Sequence, residues 1–130
     1  PQEQDGALVI AMALPPDKPQ SLVSAEDIGP AAVAVASDPA RHVGTGIDLV
    51  ADTLSFAGMA KVIGEVAGKP CQAVSVPLDA LAEGWPQGVN LYRWLSERVD
   101  RDDTNALAAL VGTPIGFAAW AQRHLAPGLR

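Results

Sequence analysis

With 130 residues the chain is long enough for one domain around one core, and 15 acidic against 9 basic side chains leave a formal net charge of −6. That balance argues against nucleic acid and anionic membranes as partners, since both select basic patches. A single cysteine, Cys71, excludes an intrachain disulfide and a thiolate metal cage.

In chain order, Pro1–Asp5 is polar and expected to fray, as are residues 126–130 at the other end. The apolar run Gly6–Leu14, bounded by glycine and by Pro15-Pro16, predicts a buried strand. The prolines of Pro15–Gln20 predict a loop. Ser24-Ala25-Glu26-Asp27 has the spacing of a helix start, with a serine oxygen to cap an orphan N–H and acids where the helix dipole favours them. Ile28, Ala31, Ala32 and Val35 continue it as one apolar stripe, and Asp38-Pro39 ends it. Gly44–Val50 is expected to be a short strand with Ile47 and Leu49 on one face.

Asp52–Ser55 leads into a second helix over Phe56–Ala67, whose stripe is Met59, Val62, Ile63 and Val66; Gly68 stops it and Pro70 follows. Cys71–Val76 predicts a third strand closed by Pro77. Leu78–Glu83 is a helical turn that breaks at Gly84 and Pro86. A helix over Val89–Val99 follows, then a short one over Asp103–Leu110. After Gly112-Thr113-Pro114 a last helix spans Gly116–Leu125 with the stripe Phe117, Trp120, Ala121 and His124. The whole reads as a mixed α/β domain of the α+β kind over residues 1–130, with a small three-stranded sheet, about five helices and a mostly helical C-terminal part.

The candidate chemistry is thin. His42 and His124 have no metal-ligand spacing, so no metal site is expected. Cys71 opens a strand and reads as a small core residue, there being no base beside it. Asp27 is read first as a helix cap and Asp48 as a surface residue of a strand; with His42 they are the candidate proton carriers. Asp102-Asp103 is read as a helix-start cap, and the basic cluster Arg93, Arg98, Arg101, interleaved with acids, as a self-paired solvated face. Trp85, Tyr92 and Trp94 crowd around a broken helix in a ring-poor chain; they either supply bulk to a core of alanine and valine or line a ligand or subunit contact. No stretch approaches the roughly 18 apolar residues of a membrane span, and no basic segment precedes Ala7–Leu14 as a signal peptide would require. The expected location is cytoplasmic.

Leu22–Gly29, Asp38-Pro39, Gly46–Asp52, Leu54–Ala60, Val66–Pro70, Val74–Leu78 and Phe117–Trp120, taken in order and spacing, resemble the C-terminal portion of NmrA-like proteins, atypical members of the short-chain dehydrogenase/reductase superfamily. In that family a Rossmann domain precedes this region and the two halves meet around a substrate crevice. The resemblance therefore implies that Trp85, Asn90, Tyr92, Arg93 and Trp94 face the crevice as substrate-binding residues. It does not carry the family's nucleotide binding over. A dinucleotide needs a glycine-rich turn from a strand into a helix, whereas the Gly-x-Gly here, Gly44-Thr45-Gly46, precedes a predicted strand and reads as a turn into Ile47. No cofactor is expected, and the chain is not expected to be an autonomous nicotinamide-dependent oxidoreductase.

The chain is then either a stand-alone version of this domain or a piece of a longer protein. The function expected first is a small-molecule binding or sensing module without nicotinamide redox activity. The alternatives are a cofactor-independent isomerase, cyclase or lyase using Asp27, His42 or Asp48, or a non-catalytic subunit that completes a separate Rossmann partner. An uncovered face and the open edge of Ala7–Leu14 predict self-association, most simply a two-fold dimer enclosing a pocket lined by Trp85, Tyr92 and Trp94.

Overall fold

The computed structural model describes residues 1–99 and 103–129. Asp100, Arg101, Asp102 and Arg130 lie outside it, and with them one arginine of the basic cluster and one member of the Asp102-Asp103 pair. The described elements run β1 (Gln2–Gln4), β2 (Ala7–Met12), β3 (Pro19–Leu22), α1 (Ala25–Ser37), α2 (Pro39–His42), β4 (Asp52–Ser55), α3 (Phe56–Ala67), β5 (Cys71–Ser75), α4 (Leu78–Gly84), α5 (Gly88–Glu97), α6 (Asn105–Val111), α7 (Phe117–His124) and α8 (Ala126–Leu129). This is the mixed α/β architecture expected: a small three-stranded sheet, β1-β2-β5, with a two-stranded one, β3-β4, and a helical C-terminal part. Two four-residue helices, α2 and α8, add to those expected, and the helical turn expected over Leu78–Glu83 is α4.

The strands fall partly where the pattern placed them. Gln2–Gln4 folds back on β2, Gln4 opposite Ala7, through Asp5-Gly6 with φ of 50° and 79°. Two positive φ values at the centre of a two-residue loop are what a hairpin's twist demands, and Asp-Gly supplies them. On its other side β2 runs parallel to β5, Leu8 opposite Cys71 through Met12 opposite Ser75. The edge expected to be open is therefore partly covered: β5 pairs with Leu8–Met12 on one flank, and β1 with Ala7–Val9 on the other.

Gly44–Val50 is not a strand. The ladder begins at Asp52, opposite Leu22, and ends at Ser55 opposite Pro19, because β3 is only four residues long. Pro19 sits at the first position of that strand, where its missing N–H costs least. The alternation of Ile47 and Leu49 serves α1 instead: both line an apolar groove with Ile28, Ala31 and Val35.

Helix starts follow the sequence closely. The Ser24 hydroxyl accepts the Glu26 N–H at 3.2 Å and the Ser55 hydroxyl accepts the Gly58 N–H at 3.0 Å. Gly68, at φ 65°, stops α3 as the left-handed residue expected there. α3 lies at the centre, packed on β5 and on α7, with Phe56, Met59, Ala60 and Ile63 buried. Its Gly64 is what lets it approach the turn into β5, since a Cβ there would stand 2.9 Å from the Lys69 carbonyl oxygen. Phe56 and Leu107 are the largest wholly buried side chains; each contributes about 1.5–3 kcal/mol of burial. Ala31, Ala60, Ala121 and Ala126 fill the space between. α8 tucks Ala126 into this core beside α3.

Candidate functional site

An open cavity of about 430 Å³ lies between β3, the segment leading into β4, and the C-terminal end of α5. Val50, only 3% exposed, forms its floor with Leu49, and Ser21 and Asp48 supply polar groups on the same side. Trp94, Arg98 and Val99 form the opposite wall. The volume falls in the usual range for small-molecule pockets. Asp48, read from sequence as a surface residue of a strand, sits at an irregular rim, and Trp94, read separately, faces the same space.

This wall is built by contacts that the sequence does not announce. The Lys18 ammonium donates to the Arg98 carbonyl at 2.5 Å, and the buried Gln20 amide donates to the Leu95 carbonyl at 3.5 Å. One is the C-cap carbonyl of α5 and the other a carbonyl of its last turn, where a donor finds orphan acceptors and the negative end of the helix dipole. The start of β3 thus pins α5 at its C-terminal end. Arg98 is not part of a solvated face: it is half-buried, and its guanidinium carbon lies 4.7 Å from the centre of the Trp94 ring. The cation fixes one side of the indole while Trp94 stays 54% exposed. Asp48, Ser21 and Arg98 are each engaged in further contacts besides these.

Of the residues expected to bind substrate, Trp94 alone lines the cavity. Trp85 and Tyr92 meet edge to face, ring centres 6.3 Å apart. Beneath Trp85 lies Gly88, where a Cβ would fall 2.2 Å from the indole, so the glycine is what allows the α4–α5 corner to fold over its own tryptophan. Arg93 donates to the Asn90 side-chain oxygen at 3.2 Å on the exposed side of α5.

The candidate proton carriers are dispersed. Asp27 is not a cap of its own helix: buried at 5% exposure, its carboxylate accepts the Ile115 N–H at 2.8 Å, across 88 residues of chain. Asp52, which sequence reading passed over, accepts the Phe117 N–H at 3.0 Å through one oxygen and the Thr53 N–H at 2.9 Å through the other. Gly116, at the N-cap of α7, has no side chain to offer, so Asp52 caps that helix from another strand. The signal for this was the Gly-Thr-Pro break itself, which leaves N–H groups that must find acceptors. Nearby, Glu26 binds Arg123 at 2.8 Å and His124 at 2.7 Å, tying α1 to α7. The hydrogen bond from His124, more than the charge of Arg123, holds the Glu26 carboxyl below its ordinary value. His124 also tilts against Trp120, which stacks on Phe117.

His42 is half-buried in α2 and its carbonyl accepts both the N–H and the hydroxyl of Thr45, closing the Gly44-Thr45-Gly46 turn. Asp103 accepts the Asn105 N–H at 3.0 Å at the start of α6. Burial pushes the Cys71 thiol above its ordinary value, against thiolate formation. Among the described residues no group of three or more His, Cys, Asp or Glu side chains is placed to hold a metal ion, and no helix is long and apolar enough to cross a membrane.

A region built around a parallel strand pair, a serine-capped central helix and a helical C-terminal part matches a known family. The chain belongs to the NmrA-like family, whose model matches residues 1–103. Its fold is similar to that of NmrA, a negative transcriptional regulator, in complex with NADP, at 18% identity over 94% of this chain and 44% of that one, TM-score 0.73. A structure of NmrA with NAD gives 19% identity over 98% and 48%, TM-score 0.74. A nucleoside-diphosphate-sugar epimerase from Staphylococcus aureus gives 18% over 86% and 43%, TM-score 0.67. At these identities the likeness is one of fold, and the chain spans under half the length of each of these proteins. No curated protein matches.

Proposed function

We propose that this chain is the substrate-side portion of an NmrA-like protein and binds a small molecule in the cavity between β3 and α5, without binding a nicotinamide nucleotide by itself. The observation that carries the reading is the convergence of Asp48, Trp94 and Arg98 on one open cavity of about 430 Å³ with an apolar floor.

NmrA is in complex with NADP or NAD in the structures it resembles, so the residues here must be tested against a dinucleotide. They do not fit one. The parallel strand β5 passes into α4 through Val76-Pro77, and α4 has no side-chain cap. Proline has no N–H to give a phosphate and its ring blocks close approach, whereas a diphosphate needs glycines and free backbone N–H groups at a helix start. Gly44-Thr45-Gly46 follows a four-residue helix and neither leaves a strand nor opens a helix. Calorimetry with NADPH is expected to show no stoichiometric binding to this polypeptide, whereas ligand-observed NMR with a fragment panel is expected to find binders that Trp94→Ala removes. Stoichiometric NADPH binding, or a panel with no Trp94-dependent member, contradicts the reading.

Self-association belongs to the same reading. Trp85, Leu91, Trp94 and Val99 are all exposed on or beside α4 and α5, an apolar surface of the kind that soluble monomers seldom keep uncovered. Light scattering is expected to show a dimer, and a clean monomer at micromolar concentration contradicts it.

A further inference from the structure

A second cavity, of about 210 Å³, opens between the end of β3, the entry to α1 and the start of α7. It shares no lining residue with the cavity beside α5. Leu22, Val23 and Ile115 give it aliphatic surface. Phe117 and Trp120 give it an aromatic one, their rings stacked with centres 5.8 Å and planes 24° apart. No charged side chain lines it, so an ionised ligand would lose its hydration without gaining a partner. The N–H groups of Ile115 and Phe117 are already taken, by Asp27 and Asp52. Ser24, buried at 7% exposure, brings a hydroxyl to the wall. Its oxygen accepts the Glu26 N–H at 3.2 Å, and its hydrogen has no acceptor among the described residues. A hydroxyl carries one donor, and a buried donor without an acceptor is costly.

From this geometry we infer that the second cavity binds a small, neutral aryl carbonyl compound. Its ring lies against Phe117 and Trp120, and its carbonyl oxygen accepts from the Ser24 hydroxyl. The volume is below the usual range for drug-sized ligands, which sets the limit of one ring with a short substituent. A flat ring extends the stack that Phe117 and Trp120 begin. The acceptor gives the Ser24 hydrogen the partner it lacks and leaves the cap on the Glu26 N–H in place. No covalent bond is made or broken on binding.

The test titrates acetophenone, α-methylstyrene, cyclohexyl methyl ketone and benzoate into the nitrogen-15-labelled chain. The indole N–H resonance of Trp120 reports on this cavity, and those of Trp85 and Trp94 serve as references. Acetophenone is expected to move the Trp120 resonance saturably, and to do so equally in Trp94→Ala. α-Methylstyrene has the same shape without the acceptor. The ratio of its dissociation constant to that of acetophenone, compared between chains, therefore isolates the hydrogen bond. Ser24→Ala should lower that ratio about fivefold, and Ser24→Thr should keep it. Ser24→Asp caps the helix equally well but has no hydrogen to donate, so it should lower the ratio too and serves where Ser24→Ala does not fold. Cyclohexyl methyl ketone should bind about fivefold more weakly through lost stacking, and benzoate about tenfold more weakly through lost hydration. A ratio unchanged by loss of the hydroxyl overturns the carbonyl contact. Equal binding of the cyclohexyl ketone or of benzoate overturns the ligand class. Absence of any Trp120 response at millimolar concentration overturns the site.

Discussion

The two ends of the helical half are fastened by opposite means. α7 is seated by buried or half-buried carboxylates from elsewhere in the chain, Asp27 on the Ile115 N–H and Asp52 on the Phe117 N–H, over a core that includes Ala121 and Phe56. α5 is held near its C-terminal end by Lys18 and Gln20 and at its start by the contact of Tyr92 with Trp85, and it leaves Leu91 and Trp94 exposed. A buried acceptor that satisfies a distant N–H specifies one arrangement, because any shift leaves both groups without partners. An exposed aromatic beside an open cavity specifies nothing internally and is free to meet something else. The difference teaches where stability resides: carboxylates under α7 hold distant N–H groups, whereas α5 keeps an aromatic side chain exposed beside the cavity.

That division is breakable by substitution. Phe56→Ala, under the α7 seat, should cost about 3–5 kcal/mol in denaturant unfolding; a loss below 1 kcal/mol would mean that the core is elsewhere. Asp27→Ala strands the Ile115 N–H and should cost about 1–3 kcal/mol, with faster hydrogen exchange confined to 112–117 at first. Gly88→Ala forces Trp85 off its seat, so its contact with Tyr92, worth about 0.5–1.5 kcal/mol, is lost; Trp85 fluorescence should shift to the red. Trp94→Leu should change stability by no more than about 1 kcal/mol, the scale of its contact with Arg98, while abolishing fragment binding. A larger loss would place Trp94 in the fold instead of the site.

The smallest effect belongs to Glu26. Its folded-state carboxyl is held below the ordinary value of 4.5 by His124 and Arg123. The contribution is therefore fully present above that value and is lost as pH falls below it through the lowered one. Urea midpoints of the protein and of Glu26→Gln should differ slightly at neutral pH and converge in acid. A difference that grows in acid would contradict the assignment.

Much of the fold was legible because its helices announce themselves locally. Ser24 and Ser55 cap where capping residues are expected, and Gly68 stops α3 through a conformation that glycine adopts freely. The strands were harder, since pairing depends on a partner remote in sequence. Ile47-Asp48-Leu49 alternates like a strand yet has no ladder to join, and Gln2–Gln4 was concealed by its polarity although Asp5-Gly6 carried the hairpin signal. In the site, Trp94 and Asp48 were each visible as residue types, but nothing in their spacing joins positions 46 apart. Arg98, Lys18 and Gln20 were hidden for the same reason: their roles come from α5 returning to β3. Asp27 shows the converse, a local motif for capping whose carboxylate is used at long range.

The central proposal, that α5 and the segment before β4 enclose a ligand site, is tested most directly by a crystal structure of the chain soaked with a fragment whose binding Trp94→Ala removes. The account predicts density for the compound against Trp94, over Leu49 and Val50. Density for the compound only at another surface, with the Trp94 cavity holding ordered solvent at full soak concentration, would contradict it.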